Sequence, residues 1–354
     1  MALATQMDFT FRSLIEGKPG VVWQREFNAL WPAYRRWFLR DGEGDRPTYL
    51  QSLQALRQYM PELLPTYETM VELAGGGDHA ARFLAQFCPP PLFRGCSQAV
   101  YIQNEPVIVR NYDYSPYVFD GLLMRSHFDQ RGVIAMVDCM SGVLDGMNED
   151  GLAVTMSFGG REEFGEGFGI TILLRYILEY ATSVKQAIEL VKDIPVHGAY
   201  NVTLLDRNAD YATIAIAPGK PSRVTPAGIA TNHQRGSSWP KYEDKVQTAL
   251  RFEYLSELVA HQQPSVDNFA QLFLQPPLFN TQFARGFGTL YTAAYYPCRG
   301  ECHILWRDHA WRFGFKNFEE TEYHISFIDP EGYPVIGQPY AEVYTSHKLP
   351  GLFF

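Results

Sequence analysis

The sequence predicts an α+β protein, on three observations. The first ninety or so residues carry a helical stripe, and after Cys96 the chain breaks into short apolar segments bounded by Gly, Asn or Asp. The later helical runs fall in groups between those segments instead of alternating with each one, which argues against a parallel α/β sheet.

Taken in order, Leu50, Leu53, Leu56, Met60, Leu63 and Leu64 recur at spacings of three and four, and Tyr67, Met70, Val71 and Leu73 continue the stripe. Pro61 and Pro65 divide it, and Gly75-Gly76-Gly77 stops it. Residues 79–87 read as one more short helix before Pro89-Pro90-Pro91 ends helical character. Antiparallel strands are expected at 99–103, 106–112, 133–138, 151–157, 201–205 and 211–216. A helical run over 170–194, divided at Thr182-Ser183, interrupts them, and another helix covers 242–260. Strands return over 289–296, 303–307 and 311–315. The boundary near residue 95 separates a helical prefix, 1–95, from a sheet-rich part, 96–354.

At 354 residues the chain has room for one large domain with a helical addition. Hydrophobic content of 46% with 19% charged residues is that of a soluble globular protein. A net charge of -9 with no Lys/Arg run argues against a nucleic-acid-binding role. The aromatic share of 14% serves a core and also suits an apolar substrate pocket. Met1-Ala-Leu-Ala-Thr-Gln-Met-Asp8 has no basic start followed by an apolar stretch, so no secretory signal is expected. No run approaches the roughly eighteen apolar residues of a membrane span. Five cysteines at irregular spacings fit a reducing compartment, with the cytoplasm as the expected location.

Gly95-Cys96-Ser97 opens the sheet-rich part and leads into a predicted hairpin ending in Arg110-Asn111-Tyr112-Asp113. With Asn104-Glu105 as the turn, Gln103 faces Pro106 and Cys96 falls opposite Asp113, their Cβ atoms roughly 5 Å apart. Asn-Glu is a poor primed turn, and a longer loop or a bulge would shift this register by one residue. Arg110, three positions from Asp113, points to the other face of a regular strand unless a bulge intervenes.

A cysteine becomes nucleophilic when its pKa is lowered or a base takes its proton. One solution is a Cys–His pair, for which His233 and His127 are the candidates among nine histidines. Another is the chain's own α-amine, freed by a cut before Cys96, with Gly95 leaving that peptide bond open to attack by the thiol. The plain alternative is a buried, inert cysteine at a strand start.

Four motifs in order add to this: Gly95-Cys96-Ser97, Arg110-Asn111-Tyr112-Asp113, Asp145-Gly-Met-Asn-Glu-Asp-Gly-Leu152 and Thr231-Asn232-His233. Together they resemble the N-terminal-nucleophile cysteine hydrolases. The group includes choloylglycine hydrolase and penicillin V acylase, and more closely acyl-coenzyme A:6-aminopenicillanate acyltransferase with its peptidase-like (C45) relatives. The resemblance implies a four-layer αββα sandwich of two antiparallel sheets with a helical N-terminal prefix. It implies self-cleavage between Gly95 and Cys96, with 1–95 kept as a small chain on the catalytic part. Asp113 would then hold the new amine and the thiol, and Asn201 and Asn232 would stabilise the oxyanion. Arg285, in Arg-Gly-Phe-Gly-Thr-Leu-Tyr, matches an active-site arginine of the acyltransferases, and Arg110 matches the hydrolase branch. The substrate would be a small-molecule linear amide, with an acyl-coenzyme A as a candidate donor and with no metal or organic cofactor. Ser157-Phe158 stands where bile-salt hydrolases place an asparagine or tyrosine, so Ser157, Phe158 and His233 are the candidate substrate contacts. A catalytically inactive, ligand-binding member of the same fold remains the alternative from another class.

Two further patterns are set aside. Cys298-Arg-Gly-Glu-Cys302-His303 lacks a second ligand pair and reads as a strand turn. The glycines of 159–169 lack a phosphate-loop context and read as a flexible loop near the pocket.

Overall fold

The computed structural model describes residues 5–91, 95–236 and 239–330. The prefix residues 92–94 and the end of the catalytic part, 331–354, lie outside the described residues. The prefix comprises strand β1 (Thr5–Glu16) and helices α1 (Val21–Phe38), α2 (Tyr49–Tyr59), α3 (Leu64–Leu73) and α4 (Asp78–Leu84). Six strands follow without an α-helix: β2 (Gly95–Ile102), β3 (Pro106–Tyr114), β4 (Leu122–Ser126), β5 (Val133–Asp138), β6 (Gly142–Asn148) and β7 (Leu152–Phe158). Helices α5 (Ile170–Tyr180) and α6 (Val184–Val191) lead to β8 (Tyr200–Asp206), β9 (Tyr211–Ala217), β10 (Lys220–Thr225) and β11 (Ile229–Ala230). After α7 (Pro240–Val246), α8 (Thr248–His261) and α9 (Val266–Leu272) come β12 (Thr281–Gln282), β13 (Phe287–Tyr296), β14 (Glu301–Leu305), β15 (Ala310–Gly314) and β16 (Thr321–Asp329).

The strands form two sheets, as the α+β reading expects. One has nine strands in the order β10-β9-β8-β7-β6-β5-β4-β1-β16, and the other runs β11-β2-β3-β13-β14-β15 with β12 added on β13. Every pairing is antiparallel except β1 with β4. The inner faces meet in one core, in which Val100, Ile108 and Ala293 of the smaller sheet pack with Val154, Met156 and Val202 of the larger. Leu255, Leu258, Phe269 and Phe273 of α8 and α9 cover the outer face of the smaller sheet over Ala99, Val107 and Val109. On the far side, α5 lies on β6 and β7, and the prefix helices close over Leu122, Met124 and Val137. This is the αββα layering, read directly from which faces are covered.

Local chemistry explains the boundaries. Thr48 and Gln51 form a reciprocal capping box at the start of α2, and the Ser183 hydroxyl caps α6 by accepting from the Gln186 N–H. That cap splits the helical run where Thr182-Ser183 predicted it. The prefix departs from the expectation at its beginning: residues 5–16 form a strand. Met7, Phe9 and Phe11 alternate with Gln6, Asp8 and Thr10, a period of two, and the pairing partners of β1 lie on β4 and β16.

Of the two patterns set aside, the cysteine one falls in the strand turn expected for it. Cys298 sits exposed in the β13–β14 turn and Cys302 is buried, and the five cysteines form no disulfide with one another. Among the described residues the only group spaced to hold a metal is Glu43, Asp78 and His79, and Arg82 already pairs with both carboxylates. No helix of the described residues is long and apolar enough to cross a membrane.

Candidate active site

The β2–β3 hairpin carries a three-residue loop, Gln103-Asn104-Glu105, so Ile102 faces Pro106. Cys96 is therefore opposite Tyr112, and Asp113 is opposite Gly95, one residue away from the two-residue-turn register. The hairpin itself has no bulge. The slip comes one strand further, where β13 shifts register against β3 between Thr289 and Tyr291. Arg110 and Asp113 accordingly face opposite sides of β3, and Cys96 stands at the strand end where both sides are in reach.

On the inner side, the fully buried Arg110 reaches the Cys96 thiol, with Nη2 3.1 Å from Sγ. Its Nε donates to the Met156 carbonyl at 2.8 Å, and its Nη1 pairs with Asp145 of β6 and contacts the Tyr291 hydroxyl at 3.2 Å. Tyr291 and Tyr295 also donate to Asp145, at 2.7 and 2.5 Å. Burial works against the charge on Arg110, but Cys96, Asp145 and Tyr291 outweigh it and raise the guanidinium pKa. Burial, reinforced by Asp145, pushes both tyrosines well up. The thiol thus faces a permanently charged donor.

On the other side, the Cys96 N–H donates to Asn232 Oδ1 at 2.9 Å. Arg251 of α8, also buried, donates to the Cys96 carbonyl at 2.6 Å, to the Ser97 hydroxyl at 2.6 Å and to Asn232 Oδ1 at 2.7 Å. Its guanidinium lies 3.7 Å from Asp113, whose other oxygen accepts from Thr289 at 2.7 Å. Burial raises the Asp113 pKa above the ordinary 3.8, against the pull of Arg251, Thr289 and Arg110. Burial lowers that of Arg251, against Asp113, Tyr242 and Cys96.

The raised Asp113 pKa has a testable sign. The stability that goes with the neutral carboxyl is fully present below the unfolded value and is lost as pH rises through the elevated folded value. Wild type should therefore lose stability relative to Asp113→Asn over that rise, followed as melting temperature against pH. Parallel curves would show that Asp113 ionises in the fold as it does unfolded.

The segment carrying Asn232 is held from the β7–β8 side. Asn201 Nδ2 donates to the Thr231 and His233 carbonyls at 3.0 and 3.1 Å, and the Ser157 hydroxyl donates to the Thr231 carbonyl at 2.7 Å. Gly160, at φ +67, lets this segment approach so closely that a Cβ there would lie 2.5 Å from the Asn232 carbonyl oxygen. His233 directs Nδ1 to the Thr248 hydroxyl at 2.9 Å, and burial lowers its pKa. Phe158 accepts from Asn232 Nδ2 at 3.2 Å and meets Tyr242 edge-on, with Trp239 stacked beyond. Asn201, Ser157 and His233 thus gather on the Asn232 segment. His127 is exposed after β4. Arg285 ends the short turn Phe283–Arg285, half-buried, where its charge adds to burial in lowering the pKa of Lys245.

Gly95 has its own steric reason. A Cβ there would lie 2.0 Å from the Phe287 ring. Gly95→Ala is expected to lose about 1–3 kcal/mol of stability by overpacking, measured by urea unfolding; an unchanged midpoint would mean that Phe287 moves aside freely.

Sequence reasoning gave no role to Arg251, Asp145, Thr289, Tyr291 and Tyr242, although Asp145 opens one of the four motifs and Thr289 and Tyr291 lie in Arg-Gly-Phe-Gly-Thr-Leu-Tyr. Arg251 had a usable signal, since it shares the helical stripe of Leu255 and Leu258, where a charge is out of place unless paired. The Tyr242 phenol is buried, with Cys96 and Asp113 adding to burial in raising its pKa while Arg251 opposes them. The motif holding Thr289 and Tyr291 does not show their partners, Asp113 and Asp145, which come from other strands.

No curated protein sequence matches the chain. Among solved structures, a variant of the conjugated bile acid hydrolase from Clostridium perfringens has 11% identity and a TM-score of 0.44, covering 64% of this chain and 96% of that one. Penicillin V acylase from Agrobacterium tumefaciens has 14% identity and a TM-score of 0.44, covering 62% and 86%. A Caenorhabditis elegans N-acylethanolamine-hydrolyzing acid amidase ortholog has 11% identity and a TM-score of 0.45, covering 65% and 100%. The family pattern described as acyl-coenzyme A:6-aminopenicillanic acid acyl-transferase matches residues 101–311, beginning after Cys96 and spanning Arg110, Asp113, Asn201, Asn232, Arg251 and Arg285. By that match over more than half its length, the chain belongs to the acyl-coenzyme A:6-aminopenicillanic acid acyl-transferase family.

Proposed function

We propose that the chain is a self-processing cysteine amidohydrolase or acyltransferase that acts on linear amide C–N bonds through a Cys96 acyl-enzyme. The observation that carries this reading is the setting of Cys96 at the start of strand β2. Its thiol is on Arg110, its N–H on Asn232 and its carbonyl on Arg251. Three separate groups fix one cysteine, which burial of an inert thiol does not require.

In processing, Sγ attacks the Gly95 carbonyl, the Gly95–Cys96 C–N bond breaks, and the Cys96 nitrogen leaves as an amine with the thiol proton. Water then hydrolyses the thioester and frees the thiol. In turnover the α-amine takes the thiol proton, Sγ bonds to the substrate carbonyl carbon, and the oxyanion draws on Asn232, with Asn201 holding the segment that carries it. Such a donor contributes roughly 3–4 kcal/mol to lowering the barrier. The amine passes the proton to the leaving nitrogen, and water or a second amine takes the acyl group. Asp113 and Arg251 flank the new amine; Phe158, Tyr242 and Trp239 are the apolar wall beside it. Arg285 and His233 would contact substrate rather than move protons.

Denaturing mass spectrometry of freshly purified protein beside Cys96→Ala tests this. The expected result is two pieces, 1–95 and 96–354, from wild type and one intact chain from the variant. An intact wild-type chain would leave no α-amine to act as base and would turn the assignment toward a histidine-assisted thiol or a binding protein.

A further inference from the structure

We propose that Arg251 is a positioning residue for the Cys96 α-amine: it fixes Asn232 with its carbonyl oxygen toward that nitrogen, and its buried charge keeps the freed amine unprotonated and able to accept a proton. The inference rests on the self-processing reading above and adds to it a residue that sets the protonation of the base.

The orientation follows from donor chemistry. A guanidinium only donates, and so does the Cys96 N–H. The one Asn232 atom that both approach, at 2.7 and 2.9 Å, must be the acceptor Oδ1. Asn232 Nδ2 is thereby turned toward β7, where it donates to the Phe158 carbonyl at 3.2 Å. On the same strand β7, the Met156 carbonyl accepts from Arg110 Nε at 2.8 Å, and the Nη2 of that arginine lies 3.1 Å from the thiol. One arginine thus sorts the two ends of the asparagine amide, acceptor to the amine and donor to β7.

The charge argument uses the same geometry. Arg251 Nη2 can be no further from the Cys96 nitrogen than two hydrogen-bond lengths, because both touch one oxygen. A cation at that range lowers the pKa of an amine by about 1–3 units, from an ordinary α-amino value near 7.7–8.0. Among the described residues, the other charged and titratable groups around Cys96 and Arg251 are Asp113 and Arg110 from β3, Tyr242 from α7 and His233 from the Asn232 segment. Asp113 opposes the effect but lies 3.7 Å from Arg251 itself, and Arg110 is engaged with the thiol and Asp145. Burial disfavours the charged phenolate of Tyr242, and burial lowers the pKa of His233.

Protein labelled with 15N-cysteine allows the α-amine to be titrated directly by NMR, since an amine nitrogen resonates apart from amides. After mass spectrometry has established the cut, Arg251→Met is expected to raise the amine pKa by about 1–3 units, while Arg251→Lys, which keeps a buried cation, stays near wild type. Asp113→Asn gives an independent reading if Arg251→Met does not fold: removing the opposing carboxylate should lower the amine pKa further. A cut and folded Arg251→Met with the wild-type titration, or an Asp113→Asn amine that titrates at or above the wild-type value, would overturn the proposal. An uncut wild type is a different failure, since it removes the amine and with it the processing assignment as well.

Discussion

Asp145→Ala is expected to destabilise the protein by about 3–5 kcal/mol, the range for breaking a buried ion pair from one side. The carboxylate is fully buried and accepts from Arg110, Tyr291 and Tyr295 at once. Its removal strands three buried donors between the sheets. Arg110 cannot relieve this by releasing its proton, because a guanidinium stays charged in any protein setting. Urea unfolding of wild type and variant measures the loss. Tyr295→Phe, which removes one donor and leaves the ion pair, should lose about 1.5–3 kcal/mol. A drop of under about 1 kcal/mol for Asp145→Ala would mean that another group neutralises Arg110.

Arg110→Met reads the same pair from its chemical end. The methionine keeps an unbranched apolar stem but loses the donor at 3.1 Å from Sγ. An opposite charge in contact lowers an acid's pKa by about 1–3 units, so its loss should slow alkylation of Cys96 by iodoacetamide at neutral pH by about one to two orders of magnitude. The pH profile of that reaction should move upward, followed as mass added to the piece bearing Cys96. Stability should suffer less than in Asp145→Ala, because the Asp145 carboxyl keeps the Tyr291 and Tyr295 donors. An unchanged alkylation rate would assign Arg110 to architecture alone. Combining Arg110→Met with Asp145→Leu should recover part of the stability that Asp145→Ala loses, as apolar replacement of a buried pair often does.

What the sequence made legible was local. The β2–β3 hairpin, the cap at Ser183 that divides α5 from α6, and the strand-turn reading of Cys298–Cys302 all rest on neighbours within a few residues. The Cys96–Asp113 register was off by one because the loop holds three residues, a choice that the pairing of Ile102 with Pro106 settles and the dipeptide Asn104-Glu105 does not. Arg251, Asp145 and Thr289 converge on Cys96 from a helix and two strands far apart in the chain, and no periodicity encodes that meeting. For β1 the period-two signal was present in Met7, Phe9 and Phe11, but the longer helical stripe after Leu50 dominated the reading. The motif resemblance supplied the four-layer order, and the coverage of each sheet face by its own helices bears it out.

The place of β1 in the larger sheet bears on how this protein can be made and handled. It is the sole described neighbour joining β16 to β4, with nine residue pairs on one side and five on the other. A polypeptide begun at Cys96 would therefore fold with a slot in its sheet and two raw strand edges, the form of surface that recruits other chains and aggregates. Supplying 1–95 as a separate polypeptide should rescue such a protein, as a missing stave closes a barrel, whereas the helices of the prefix without residues 5–16 should not.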